Sequence, residues 1–120
     1  GCGSGTVLDS KTGLCWEKDA STRGKTWKTA LQECNNLSLG GHIDWRFPKR
    51  IELVSIVDYG FENSSFWHTT KFTGYADVTY WSSTARPWYT DMAYYLYFFT
   101  GALYDGYKDE SRYAVCVREN

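Results

Sequence analysis

The stretch AYYLYFFTGALYDGYKDESRYAVCV, residues 93–117, constrains the fold more than any other part of the chain. Aromatic and β-branched residues at this density favour strands. Thr100-Gly101 supplies a turn, so residues 93–99 and 102–105 read as a hairpin, and 112–117 as the last strand. Side chains alternate between the faces of a strand. The consistent buried set is Tyr94, Leu96, Phe98 and Leu103. That leaves Tyr97, Phe99, Ala102 and Tyr104 on an outer face, which Asp105, Gly106 and Tyr107 continue. Exposed rings grouped in this way mark a contact surface, unless the loop 59–78 or another subunit covers them.

The remainder of the chain supplies helices and shorter strands. Residues 6–8 and 14–16 flank a turn closed by Gly13 and read as two strands. Thr26 caps a helix in which Trp27, Ala30, Leu31 and Cys34 recur at i, i+3, i+4 and i+7, ending near Gly40-Gly41. Pro48 opens a second helix with Ile51, Val54 and Val57 in its stripe, widened by Leu53 and Ile56. Residues 59–78 read as a loop rich in rings, 80–83 as a strand, and 85–92 as a Pro-containing loop. Strands, two helices and a β-rich end make an α+β fold with an antiparallel sheet. A length of 120 residues suits a single domain over 1–120.

Composition narrows the partners. A formal net charge of −1 gives no basic field for nucleic acid. No run is apolar enough to span a membrane. No signal peptide leads the chain, which reads as a mature form. Gly1-Cys2 fits the remnant of a lipoprotein processing site, placing a lipid anchor at Cys2 or upstream, and equally fits a linker. The cysteines Cys2, Cys15, Cys34 and Cys116 allow three pairings. The favoured one joins Cys34 to Cys116, tying the first helix to the last strand, and Cys2 to Cys15. Free buried thiols are the alternative. Aromatics form 18% of the chain, and Tyr and Trp are favoured where one end is buried and the other wet.

In four stretches the chain resembles the Lcl C-terminal domain family of bacterial surface and secreted proteins. These are GTVLDSKTGLCWEK (5–18), TWKTALQECNNLSLGGHIDWRFPKRIELVSIVD (26–58), YWSST (80–84) and RYAVCVR (112–118). Lys49 departs from the family pattern, in which a Thr or Ser would cap the second helix. The resemblance implies a fold related to that of C-type lectins. A subset of the family is similar to the variable proteins of diversity-generating retroelements, in which adenine-directed mutagenesis alters Asn codons near the C-terminus. Positions of that type hold Tyr97, Phe99, Thr100, Ala102, Tyr104, Asp105, Gly106 and Tyr107, all reachable from AAC by changing adenines alone. Leu96, Phe98, Gly101, Leu103 and Lys108 form the fixed frame between them. Trp88 and Met92 are not reachable in this way.

Catalytic signals are weak. His42 reads as structural and His68 as a packing or surface residue. No nucleophile elbow is present, and nothing marks a Cys as an activated thiol. The fold is therefore read as no enzyme, with no cofactor. No Cys/His spacing suggests zinc, and the calcium triplets of sugar-binding C-type lectins are missing. Asp91, Asp105, Asp109 and Glu110 read as a solvated rim, Trp45 as core, and Arg46 as a tie between loops. Trp, Tyr and Arg are the usual interface anchors. The expected ligand-binding set is thus Arg86, Trp88, Tyr89, Asp91, Tyr97, Phe99, Ala102, Tyr104, Asp105 and Tyr107. The expected partner is a protein or glycan on a host, a neighbouring cell or a phage, met at the cell surface or outside the cell. The second reading is a fixed adhesin for sulfated polysaccharide. It requires a basic cluster, and the 85–107 window holds only Arg86.

Overall fold

The computed structural model describes residues 2–9, 11–18, 22–55, 79–97 and 101–120, with the side chains of residues 22 and 23 left aside. Expectations for Phe98, Phe99, Thr100, Ile56, Val57, His68 and the loop 59–78 lie outside the described residues. The fold is α+β, with two helices and mostly antiparallel strands. Strands β1 (Thr6–Asp9), β2 (Leu14–Glu17) and β8 (Val117–Glu119) form one sheet in the order β1-β2-β8. The second sheet runs β3-β7-β4-β5-β6, from β3 (Thr22–Lys25), β7 (Arg112–Ala114), β4 (Thr79–Arg86), β5 (Tyr89–Tyr97) and β6 (Ala102–Tyr107). Its β4–β7 contact is parallel.

The first hairpin follows its turn chemistry. The Asp9 carboxylate accepts the Lys11 N–H and the Thr12 hydroxyl, each at 3.0 Å. Gly13 takes φ 75°, where a side chain would be strained, and donates its N–H to the Asp9 carbonyl. Every residue of β2 is buried.

Helix α1 (Trp27–Asn35) turns Ala30 and Cys34 inward, with Trp27 and Leu31 beside them, as the spacing predicts. Thr26 is its N-cap residue, but the hydroxyl bonds the Thr29 hydroxyl rather than a helix N–H. The helix stops at Asn35, before Gly40-Gly41. Asn35 and Asn36 are weak helix formers, and unwinding lets Leu37 and Leu39 reach the core. The two glycines instead make a tight turn between Leu39 and His42, which exchange backbone hydrogen bonds of 3.0 and 3.1 Å. A Cβ on Gly40 would lie 2.6 Å from the Cys2 carbonyl oxygen.

Helix α2 (Arg50–Ser55) is shorter than expected and buries Leu53, while Ile51 is 73% exposed. Fewer than two turns leave room for one inward position, and Leu53 takes it against Tyr80 and Leu96. The missing Thr or Ser cap is offset by Glu52, whose carboxylate accepts the Lys49 N–H at 2.8 Å. That is the reciprocal half of a capping box.

Two further expectations are corrected. Residues 85–92 are not a loop: β4 and β5 run to a two-residue turn, Pro87-Trp88. Pro at the first corner and a positive φ at the second are the signs of a type II turn. Residues 112–117 are not one strand: Val115 and Cys116 cross from the larger sheet to the smaller. The buried Glu17 holds that crossing, its carboxylate accepting the Cys116 N–H at 2.6 Å.

The core has two halves, one on each face of the larger sheet. Tyr80 and Leu96 join Leu14, Trp16, Leu53, Val115 and Val117. Trp81 and Ala93 join Ala30, Trp45, Phe47, Ala114 and the cysteines. The disulfides are Cys2–Cys15 and Cys34–Cys116, both in the second half. Trp45 is core as expected, and Arg46 forms a two-pronged pair with Glu52 at 2.8 and 2.7 Å and reaches Glu119 at 3.2 Å. Burial of both faces explains why aromatic residues follow one another without alternation. Adjacent side chains of β4 and β5 enter opposite halves of the core.

Candidate functional site

Strand β6 is the edge of the larger sheet, and its register on β5 assigns each side chain to a face. On the first face lie the pairs Ala93/Gly106, Tyr95/Tyr104 and Tyr97/Ala102. On the second lie Met92/Tyr107, Tyr94/Asp105 and Leu96/Leu103. The expected continuous outer patch is therefore divided. Tyr97, Ala102 and Tyr104 do share a face, but Asp105 and Tyr107 belong to the other, and Gly106 is buried. Leu103, expected in the core, is 37% exposed, because an edge strand is covered from fewer sides. Tyr94, also expected in the core, is only partly buried, under the guanidinium of Arg50 at 4.4 Å. Phe99 lies outside the described residues.

On the first face Tyr95 is the base of a stack. Trp81 meets its edge at 6.0 Å, Arg112 lies over its ring at 3.8 Å, and Tyr104 stacks on it at 5.7 Å. Tyr104 is the exposed end of that stack. A Cβ on Gly106 would stand 2.9 Å from both the Arg112 guanidinium and the Glu110 carboxylate. Glycine at 106 is thus a packing requirement rather than a surface choice.

On the second face Arg86 is held from three sides. It pairs with Asp105 at 2.9 Å, lies over Tyr89 at 4.5 Å, and approaches the Met92 sulfur at 3.9 Å. The Pro87-Trp88 turn and the turn after β6 lie at the same end of the sheet, since Lys108 donates its N–H to the Asp91 carbonyl. That end presents Trp88, 97% exposed, with Tyr89, Tyr107, Asp91 and Asp109. Trp88 holds φ 70°, an uncommon conformation for a bulky residue. Arg86, Trp88, Tyr89, Asp91, Asp105 and Tyr107 are thereby brought to one end, and Tyr97, Ala102 and Tyr104 to the first face.

Sequence reading gave no ring contact to Arg50, Arg112 or Tyr95, and took Lys108 only as part of the fixed frame. Lys108 lies 4.1 Å over Trp27, so each of these cations rests on a ring. Lys108 directly follows Tyr107 and Arg112 precedes Tyr113, whereas Arg50 opens α2 with no such neighbour. The ring that each meets is distant in sequence. Among the described residues, no three acidic, His or Cys side chains gather to hold a metal. Asp105 is committed to Arg86 and Glu110 to Arg112.

The profile of the Lcl C-terminal domain matches residues 5–118. The chain belongs to the Lcl C-terminal domain family. No curated protein matches it. The Lcl domain is of a bacterial surface or secreted type, and membership supports a surface-associated binding module. The matched span takes in both sheets, both helices and the whole β4–β5–β6 unit. Among the described residues, no helix is long and apolar enough to cross a membrane.

Proposed function

We propose that this Lcl domain is a ligand-binding module with a C-type-lectin-like fold, and that it is the diversified variable protein of a diversity-generating retroelement. Its binding surface is the turn end and outer edge of β4–β5–β6, and the target is a protein or glycan on another cell, a host or a phage. Binding works by surface complementarity rather than by catalysis. The observation that carries this reading is the set of exposed rings, Trp88, Tyr89, Tyr104 and Tyr107, on a sheet whose inner positions Ala93 and Leu96 are fully buried. Rings with few rotors give large contact area at low entropy cost, and an exposed group of them marks an interaction site. Most of the Asn-type positions described here, Tyr97, Ala102, Tyr104, Asp105 and Tyr107, are at least partly exposed. Gly106 is the exception.

The test is the DNA at the 3′ end of the gene and its flanks. A near-copy differing only where it carries adenines, beside a reverse transcriptase gene, is the expected finding. Its absence refutes diversification and leaves a fixed binding domain. The alternative, an adhesin for sulfated polysaccharide, needs free cations on this surface. Arg86, the one basic residue of the 85–107 window, is already paired with Asp105.

A further inference from the structure

The chain treats its own rings and cations in a consistent way. Arg50 lies over Tyr94, Arg86 over Tyr89, Lys108 over Trp27, and Arg112 over both Tyr95 and Trp81. Two of these cations are also matched by carboxylates, Arg86 by Asp105 and Arg112 by Glu110. The positive charge around the β4–β5–β6 unit is therefore absorbed within the chain. Trp88 and Tyr107 are exposed and, among the described residues, have no cation over them. At the same end of the sheet, Asp91 and Asp109 are exposed and, among the described residues, make no ion pair.

We infer that the partner recognised by this end of the sheet is a cationic protein segment, presenting Lys or Arg side chains to Trp88 and Tyr107 with Asp91 and Asp109 as counter-charges. This rests on the binding role proposed above and names the chemistry of its ligand. A cation over a ring face is attracted by the ring quadrupole, and nearby carboxylates add attraction and steering. The same arrangement disfavours anionic ligands. A sulfate or phosphate would meet two unpaired carboxylates, and would have to displace Asp105 to reach Arg86. Charge complementarity selects a basic segment over a sulfated glycan.

The test uses the whole domain with its disulfides intact and four probes: an octapeptide alternating lysine and glycine, its glutamate and serine counterparts, and heparin. Binding is followed by titration calorimetry at low and at physiological salt. The lysine peptide is expected to bind about tenfold more tightly than any other probe, less so as salt rises. Asp91→Asn with Asp109→Asn, and separately Trp88→Ala with Tyr107→Ala, are each expected to weaken it about tenfold. All four positions are exposed, and an unchanged melting temperature checks the fold. Preference for heparin, glutamate or serine, or no lysine-peptide binding at about millimolar concentration, overturns the inference. If such a probe binds and is lost in Trp88→Ala/Tyr107→Ala, the surface remains a binding site and only its charge preference is wrong. If whatever binds is indifferent to that variant, the binding surface itself is misplaced.

Discussion

The guanidinium carbon of Arg112 stands 3.8 Å from the centroid of the Tyr95 ring and 4.7 Å from that of Trp81. One cation thereby links β7, β4 and β5 on the face that carries Tyr104. Its Nε is buried without a hydrogen-bond partner, so contact with the rings and the Glu110 pair hold it in place. Tyr95 is fixed from beneath, and Tyr104 stacks on a rigid base rather than on a mobile ring.

Gly106→Ala is expected to disturb that base. The added methyl would crowd Arg112 and Glu110 at 2.9 Å and the Tyr95 ring at 3.0 Å. The two charged ends can swing away; the ring, packed on Trp81, cannot without loss. A stability cost of about 1–3 kcal/mol follows, with a changed near-ultraviolet circular dichroism signal from Trp81 and Tyr95. An unchanged melting temperature and spectrum would show that Arg112 does not pack as described.

Local patterns carried a good part of this fold. The i, i+3, i+4, i+7 stripe of Trp27, Ala30, Leu31 and Cys34 marked α1, and the run from Asp9 to Gly13 marked the first turn, because both depend on neighbours in sequence. The pairing of Cys34 with Cys116 was legible as well, since Cys34 lies on the apolar stripe of α1 and both cysteines enter the same half of the core. Alternation in β5 and β6 established which residues share a face, but not whether that face is covered. Coverage depends on α1, α2 and the second sheet, which are distant in sequence. For that reason Leu103 was expected in the core; Asp105 and Tyr107 were instead misplaced by grouping them with Tyr104, although strict alternation puts both on the face of Leu103. The crossing at Val115-Cys116 was hidden as well, since it is set by Glu17 on another strand.

The two disulfides differ in what they constrain. Cys34–Cys116 joins residues 82 apart in sequence, and Cys2–Cys15 joins residues 13 apart. Loop-closure entropy assigns about 4.5 kcal/mol to the first and about 3 kcal/mol to the second. Cys34→Ser/Cys116→Ser is therefore expected to lower the denaturation midpoint more than Cys2→Ser/Cys15→Ser. The reverse order would mean that the N-terminal clamp, rather than the α1–β7/β8 link, dominates stability.

Acid should weaken the tie between α2 and β8. Burial pushes the Glu52 carboxyl upward, but hydrogen bonds from Arg46 and the Lys49 N–H outweigh it, leaving the pKa below its ordinary 4.5. A carboxyl whose folded pKa is depressed stabilises the fold above its unfolded value. That contribution is lost as pH falls through the folded value. Melting temperature should thus hold from neutral pH to about 5 and decline below 4.5. Glu52→Gln should cost about 1–3 kcal/mol at neutral pH and flatten the decline. If the variant keeps the wild-type acid profile, another group is responsible.

Trp88 separates binding from stability most clearly. Its side chain is 97% exposed, so it adds almost no packing, while its backbone holds φ 70°. That conformation costs a side-chain-bearing residue about 1–2 kcal/mol and glycine nearly nothing. Part of the gain from Trp88→Gly is offset by the greater freedom of glycine in the unfolded chain. The denaturation midpoint should therefore hold or rise, by about 1 kcal/mol at most. Affinity for the lysine octapeptide should nonetheless fall about tenfold, as expected when an interface anchor is truncated. A held midpoint together with lost affinity would show that the ring at this turn serves contact rather than folding. A lowered midpoint would instead show that Trp88 packs against the body of the domain, and its role at the turn would then be structural.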